Sequence, residues 1–213
     1  MERAMKKYQF KTKYPGFSLI EIAIVLSILG LLLGGILKGK QLYDAAKINA
    51  LITQIQDISL ATHQFEQNFG ALPGDYAGAS SLKEGLTGGD GNGMIGPQEK
   101  DQVWAHLAAA GLMNSAAIPV SKIGGTISFQ YISQGDINGN WIVIGQTLGN
   151  NNLGALLTPE QAFLIDKKLD DGIATSGKVR AVKGQDAQGE CFSVDGSYNL
   201  INKNPACVLL VNY

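Results

Sequence analysis

The sequence predicts an α+β fold in which one long N-terminal helix packs against a head built on a small antiparallel sheet. Two observations lead to this expectation. An apolar run near the N-terminus continues into an amphipathic helical pattern, and strand-like runs occur only in the second half of the chain. The 213 residues suffice for one ordinary domain plus an appendage. We expect four parts: a basic leader (1–16), an apolar helix (17–37), an amphipathic helix (38–69) and a globular head (70–213).

The N-terminal apolar helix is long enough to cross a membrane. Residues 17–37 contain a single ionisable side chain, Glu21, and a helix of about 20 residues spans a hydrocarbon core of about 30 Å. The leader before it carries one acid, Glu2, and five basic residues, which are Arg3, Lys6, Lys7, Lys11 and Lys13. Because basic residues stay on the cytoplasmic side, we expect a single pass, with residues after Lys38 on the far side.

An amphipathic helix continues the apolar one. From residue 38 onward, apolar residues recur at spacings of three and four along one stripe, as in a helix that packs one face. Gly70 and Pro73 then end the pattern. The stripe consists of Leu51, Ile55, Ile58, Thr62, Phe65 and Phe69.

The head mixes helices and strands. Glycine-, serine- and aspartate-rich residues 70–100 indicate turns and loop. Helical patterns cover residues 98–113 and residues 158–169, the latter with Thr158 as N-cap and Pro159 at the first helical position. Strands are expected at residues 126–132, 140–146, 191–194 and 206–212.

The two cysteines, Cys191 and Cys207, lie near the C-terminus. An even pair in a translocated domain predicts a disulfide, and closing a loop of about 15 residues stabilises a fold by roughly 3 kcal/mol on the chain-entropy model. Two reduced, buried thiols are the alternative.

Acidic and amide residues offer two candidate calcium sites. Asp136, Asn138 and Asn140 present alternating oxygens, and Asp90 and Asn92, with Glu99 nearby, form a weaker set. Neither completes the EF-hand pattern. Turns built by the same side chains explain these residues equally well, and the Asp170-Asp171-Gly172 segment is also interpreted first as a turn.

No sequence motif points to catalysis or to nucleic acid. The two histidines, His63 and His106, fall on predicted helices, and no nucleophile elbow, phosphate loop or zinc motif occurs. The net charge of -1 gives no basic field, and the cluster of Lys178, Arg180 and Lys183 is small. We therefore expect neither an enzyme nor a nucleic-acid-binding protein, and no cofactor beyond an optional calcium ion.

The order of the N-terminal signal is unusual, because glycine precedes the apolar run instead of following it. The residues are Tyr14-Pro15-Gly16-Phe17-Ser18-Leu19-Ile20-Glu21. With the basic leader before it, this segment resembles the type IV prepilin and type II secretion pseudopilin family. The resemblance implies that a membrane prepilin peptidase cleaves after Gly16 and methylates the new terminus, Phe17. It also implies a pilin-like head with a late cysteine pair.

Two features of the apolar helix predict contacts between subunits. A carboxylate such as Glu21 costs on the order of 3 kcal/mol in hydrocarbon and needs a partner. The resemblance implies the amine of Phe17 on a neighbouring subunit, whereas water at the membrane interface is the alternative. Gly30 and Gly34 form a Gly-x-x-x-Gly spacing, which fits either close helix packing or ordinary lipid-facing sequence.

The resemblance implies a structural subunit that assembles into a type IV pilus or a secretion pseudopilus. Its expected partners are copies of itself or related pilins, the prepilin peptidase, an inner-membrane assembly platform and membrane lipid. Its expected location is the bacterial inner membrane, with the head in the periplasm or on an extracellular filament. Two alternatives remain: a minor pilin with a ligand-binding or adhesive head, and an anchored periplasmic domain that does not polymerise.

Overall fold

The structure, a computed structural model, describes residues 16–213 except for the side chain of Leu37. The predicted leader therefore lies outside the described residues, apart from Gly16. The chain divides into two compact units, Met1–Asp44 and Ala45–Tyr213. The last part of the long helix, residues 45–69, thus belongs to the same unit as the head. The predicted boundaries at residues 37 and 69 stay predictions.

The long helix α1 spans Leu19–Phe69, which confirms the expectation of one continuous element. Its end lies where the sequence predicts it. Gly70 has a φ of 68°, a left-handed conformation that favours glycine, and its amide still donates to the carbonyl of Glu66 at 2.8 Å.

Within the second unit, one stripe of α1 is buried, as the three- and four-residue spacing predicts. Phe69, at the end of the stripe, is half-buried. The five fully buried members are Leu51, Ile55, Ile58, Thr62 and Phe65.

Two shorter helices and five strands follow α1. A single 3-10 turn at Ala79–Ser81 lies in the loop region. In chain order the elements are α2 (Gln102–Ala109), β1 (Thr126–Gln134), β2 (Ile137–Leu148), β3 (Asn151–Gly154), α3 (Pro159–Leu169), β4 (Val179–Lys183) and β5 (Cys207–Val211).

The strands form one antiparallel sheet with the order β1-β2-β5-β4, and β3 pairs with β2 off this path. Gln134 pairs with Ile137, so a two-residue turn of Gly135 and Asp136 joins β1 to β2. Gly135 has a φ of 57°, which suits the first central position of a tight hairpin. Helix and antiparallel sheet together confirm the α+β prediction.

The sheet carries apolar side chains on both faces. One face joins the stripe of α1 and the buried sides of α2 and α3 in the main core, to which the sheet contributes Ile127, Phe129, Ile142, Ile144, Leu209 and Val211. The opposite face holds a second cluster of Trp141, Val143, Val208 and Leu210. Alternation along the strands places neighbouring residues on opposite faces.

The predicted strand at residues 191–194 is wrong. The segment makes only an isolated bridge between Phe192 and Tyr198. It folds back at once, because the amide of Ser193 donates to Ser197 and that of Gly196 donates to Ser193. The short strands β3 and β4 were not predicted, since β3 is a mostly polar segment of 4 residues and β4 has only 5 residues.

The bounds of several other elements also differ from expectation, and β1 runs two residues beyond the predicted 126–132. Helix α2 is shorter than the predicted 98–113, because residues 97–101 form a turn and Gly111, with a φ of 72°, follows its end. Strand β2 is longer than the predicted 140–146 and includes Asn138 and Asn140.

Candidate processing and assembly site

The predicted cleavage point is open to solvent. Gly16 is exposed, Phe17 is 84% exposed, and both precede the first residue of α1. A Cβ atom built on Gly16 would meet nothing within 4 Å. Packing within the described chain therefore does not require glycine here, which leaves recognition by another protein as a reason for it.

Glu21 satisfies the beginning of its own helix in this structure. Its carboxylate oxygen Oε2 accepts a hydrogen bond from the amide of Ser18 at 2.8 Å, while the hydroxyl of Ser18 accepts from the amide of Ile20 at 3.3 Å. This arrangement resembles a capping box, and it satisfies amides that have no partner inside the helix. The sequence predicted an amine as the partner of Glu21 and missed this local one, although a serine three residues before a glutamate could have indicated it.

The first part of α1 exposes nearly every apolar side chain that it carries. Among the described residues, α1 is the one helix that is long and apolar enough, by length and composition, to cross a membrane. Within residues 19–36 of α1, the large apolar side chains range from 45% exposed at Ile22 to 91% at Leu19. Exposure of such an apolar surface to water is unfavourable, so this part of α1 is suited to contact with lipid or with other helices.

Gly30 and Gly34 lie on this exposed part of α1. Cβ atoms built on either residue would meet nothing within 4 Å. The two glycines thus leave the helix backbone accessible to another helix, as the predicted packing role needs. The contact itself stays a prediction.

The predicted disulfide between Cys191 and Cys207 is confirmed. The Cα atoms lie 5.1 Å apart, and both residues are fully buried. Cys207 is the first residue of β5, which lies between β2 and β4 in the sheet. The bond therefore anchors the irregular segment after β4 to an inner strand.

The residues of the first predicted calcium site are used by the hairpin between β1 and β2. Asp136 lies in the turn, and its carbonyl accepts from Arg180 Nη1 at 2.9 Å. The side-chain oxygen of Asn138 accepts from the hydroxyl of Tyr131 at 2.9 Å, and that of Asn140 accepts from the amide of Ile95 at 2.8 Å. These bonds account for both amide oxygens, and calcium binding at this hairpin stays a prediction.

The structure brings Asp90 and Glu99 of the second predicted set together with Asp75, and oxygens of these three carboxylates lie within 4.8 Å of one another. Calcium binding at this set stays a prediction. Asp75 was not predicted, because its hydrogen-bond partners lie 17 and 18 residues further along the chain. Its two oxygens accept from the amides of Asn92 and Gly93, at 3.0 and 2.8 Å. Burial raises the pKa of Asp75, the amide of Gly93 opposes this shift, and nearby Glu99 adds to it.

Like Asp75, Glu99 accepts hydrogen bonds from two backbone amides of this loop. Its oxygens accept from the amides of Asp90 and Gly96, at 2.9 and 2.8 Å. Hydrogen bonds to backbone amides thus satisfy both buried carboxylates. Their role in the structure is to fold residues 88–96.

His106, which falls on a predicted helix, also holds this loop. It is fully buried on α2, where Nδ1 accepts from the amide of Gly74 at 2.9 Å. Its Nε2 lies 2.8 Å from the carbonyl of Thr87, to which it donates when Nδ1 is the acceptor. The neutral ring therefore ties two loop segments to α2.

A second group of carboxylates surrounds the end of α3. Asp166 is fully buried and accepts from the hydroxyl of Tyr198 at 2.7 Å and from the amide of Gly172 at 3.0 Å. Burial raises its pKa to about 6, with Asp171 and Asp170 adding to the shift. Burial, together with the hydrogen bond to Asp166, also raises the pKa of Tyr198. Sequence spacing gave no sign of this pair.

Comparison with known proteins places the N-terminal segment in a defined class. Residues 11–37 match the family described as the prokaryotic N-terminal methylation motif. The chain thus carries the signature of type IV pilins and pseudopilins, which indicates a processed structural subunit. No curated protein and no solved structure matches the chain.

The methylation motif and the head together define a pilin-like architecture, a long N-terminal helix with a small antiparallel-sheet domain. The one long apolar helix fits a membrane-anchored subunit of this class. The matched residues include the predicted positions Gly16, Phe17, Glu21, Gly30 and Gly34.

Proposed function

We propose that this protein is a structural subunit of a type IV pilus or of a type II secretion pseudopilus. The observation that carries the proposal is the methylation motif directly followed by a helix whose apolar side chains are exposed. A helix of this kind is stable inside a membrane, and it is equally stable when packed among identical helices in a filament core. The subunit has a structural role and no catalytic one.

Processing is the first step in the proposed function. The prepilin peptidase cleaves the peptide bond after Gly16, removes the basic leader and methylates the amine of Phe17. Exposure of both residues supports access by a protease. The product keeps α1 in the inner membrane as a single pass, with the head in the periplasm.

Assembly then transfers α1 from lipid to other subunits at the inner-membrane platform. The new amine of Phe17 is positive, and the carboxylate of Glu21 on a neighbouring subunit neutralises it. Inside one chain this carboxylate already accepts from the amide of Ser18. A carboxylate oxygen accepts more than one hydrogen bond, so the local cap and the contact with a neighbour are compatible. Gly30 and Gly34 let two helix backbones approach closely.

The experiment that tests the proposal is co-expression with a prepilin peptidase and an assembly platform, followed by shearing and pelleting of filaments. We expect the wild-type chain in the pellet. Gly16→Val should stay uncut and remain in the membrane fraction. Gly39→Val is the matched control, because Gly39 lies outside the matched motif and a Cβ there meets nothing within 4 Å.

Glu21→Gln tests the assembly step separately from processing. It keeps a hydrogen-bond acceptor for Ser18 but removes the negative charge. We expect normal cleavage with strongly reduced filament yield, and Glu21→Asp should recover part of it. Full filament yield from Glu21→Gln would rule out the proposed pairing with Phe17.

A further inference from the structure

A groove with a volume of about 880 Å³ lies in the head beside the edge of β1. Its walls come from the loop and turn at residues 87–102, from β1 and from the turn between β2 and β3. This volume falls within the range of small-molecule sites in proteins, about 300–1,000 Å³. None of the predicted assembly residues lies on it.

The loop wall of the groove is held in place from behind. As described above, Asp75 and Glu99 accept four backbone amides of residues 90–96, and His106 binds Thr87. Asn140 adds a pair of bonds, because its amide accepts from Ile95 and donates to the carbonyl of Gly93. A wall that is already ordered loses little entropy when a ligand binds.

The groove presents amide side chains that have no partner in the described chain. Gln98, Gln130 and Asn150 come from three separate segments, and none of their side chains makes a hydrogen bond there. The side-chain oxygen Oε1 of Gln102 is buried and likewise accepts none within residues 16–213. Gln98 and Asn150 are exposed, so the donors and acceptors of their side-chain amides are available to a ligand.

The charges on the groove walls are already engaged. Lys100 donates to the carbonyl of Asn150 at 2.6 Å, and Asp90 accepts from the amide and side chain of Asn92. The carboxylate of Glu99 accepts from the backbone amides of Asp90 and Gly96. Two carboxylates against one ammonium leave the groove slightly negative, which disfavours an anionic ligand.

Apolar groups lie among the amides. Met94, 42% exposed, lines the groove together with Ile95, Pro97 and Tyr131. The ligand therefore needs an apolar surface as well as groups that both donate and accept hydrogen bonds. Hydroxyl groups do both, and a sugar ring combines hydroxyl edges with an apolar C–H face.

From these features we infer that the head binds a neutral oligosaccharide in this groove, with Gln98, Gln130 and Asn150 bonding its hydroxyl groups. This ligand class goes beyond the proposed filament function and does not depend on it. Glycans built from N-acetylated sugars and glycans built from plain hexoses share the required chemistry.

The test is isothermal titration of the full mature chain in detergent with four probes. Chitotetraose is N-acetylated, cellotetraose is a plain hexose oligomer, tetragalacturonate is anionic, and tetra-alanine represents a peptide. We expect one or both neutral sugars to bind. Which of them binds more tightly identifies the source of the glycan. Absence of sugar binding at millimolar concentration, or tighter binding of tetragalacturonate or tetra-alanine, overturns the inference.

The double variant Gln98→Ala with Asn150→Ala should weaken sugar binding about tenfold or more, since it removes two hydrogen bonds. Its control is Gln64→Ala with Gln188→Ala, which removes two exposed amides outside the groove. Equal affinities of the two double variants, with unchanged unfolding midpoints, would also overturn the inference. Gly16→Val should bind sugar normally, so failure of processing and failure of binding are distinguishable.

Discussion

The first and second parts of α1 differ both in sequence pattern and in burial. Leu31 is 79% exposed, whereas Leu51, twenty residues further along the same helix, is fully buried. The first part presents apolar residues on all sides, and the second confines them to one stripe. The lesson is that all-round hydrophobicity matches a lipid or filament environment, and a stripe matches a single protein core.

The largest expected effect compares these two leucines directly. Leu51→Ala should destabilise the head by about 3–5 kcal/mol, because it removes a fully buried side chain and leaves a cavity. Leu31→Ala should change the unfolding free energy of the head by less than about 0.5 kcal/mol. Denaturant unfolding of the full chain in detergent, followed by tryptophan fluorescence, measures both. Similar losses for the two variants would contradict the division of α1.

Removal of the disulfide should have the next largest effect. Cys191→Ser with Cys207→Ser should cost about 2–4 kcal/mol in head stability, because the segment after β4 loses its anchor to β5. The helical signal of the apolar part of α1 should not change, since the disulfide lies in the other unit. The same unfolding measurement, with circular dichroism in detergent, checks both statements. A loss of helicity in the apolar part would count against the independence of the two regions.

Ionisation of Asp166 should make the head less stable as the pH rises. Its pKa of about 6 in the folded chain lies above its ordinary value of 3.8, so the folded state favours the protonated form. The contribution of Asp166 to the free energy of unfolding is therefore most favourable below about pH 4, and it is lost as the pH rises through 6. Relative to wild type, Asp166→Asn should gain roughly 2–3 kcal/mol between pH 4 and pH 8.

Asp171→Asn is a comparison variant of opposite expected sign, and because Asp171 adds to the raised pKa of Asp166, it should also reduce the pH effect of Asp166. The hydroxyl of Ser176 lowers the pKa of Asp171, and the carboxyl lies at the surface. Neutralising the Asp171 carboxyl should therefore reduce the stability of the head near pH 7, whereas Asp166→Asn should increase it. Unfolding curves at pH 4, 6 and 8 give both trends. A wild type and an Asp166→Asn variant with parallel pH profiles would show that Asp166 titrates normally.

The smallest expected effect concerns the cap of α3. The side-chain hydroxyl of Thr158 accepts from the amide of Gln161. In return, the side-chain oxygen of Gln161 accepts from the amide of Thr158. Thr158→Ala should cost about 1 kcal/mol, and Thr158→Ser should cost less because serine keeps the acceptor. Thermal unfolding of both variants distinguishes them. Equal losses would mean that the hydroxyl is not what stabilises the cap.

The sequence predicted the helices of this protein better than its strands, for a physical reason. Helix periodicity and caps are local, so α1, the cap at Thr158 and the stop at Gly70 follow from neighbouring residues. Strand β3 is stabilised by pairing with β2, and β4 by pairing with β5, whose residues lie far along the chain from it. Residues 191–194 have strand-forming composition but no neighbour to complete a ladder.

The sites divide in the same way. The motif from Gly16 to Glu21 is contiguous and could be recognised directly. The contacts of Asp75 with Asn92, of Asp166 with Tyr198, and the walls of the groove join residues that are distant in sequence. Only the fold brings them together, so no spacing in the sequence could have indicated them. The disulfide was predictable because the chain has two cysteines.

The most direct test of the central claim is the intact mass and N-terminal sequence of the protein recovered from pelleted filaments. The account predicts a chain that begins at Phe17, carries one added methyl group and lacks two protons because of the bond between Cys191 and Cys207. Filaments that contain the uncut chain beginning at Met1 would contradict processing. A cut chain that never enters the pellet would contradict assembly.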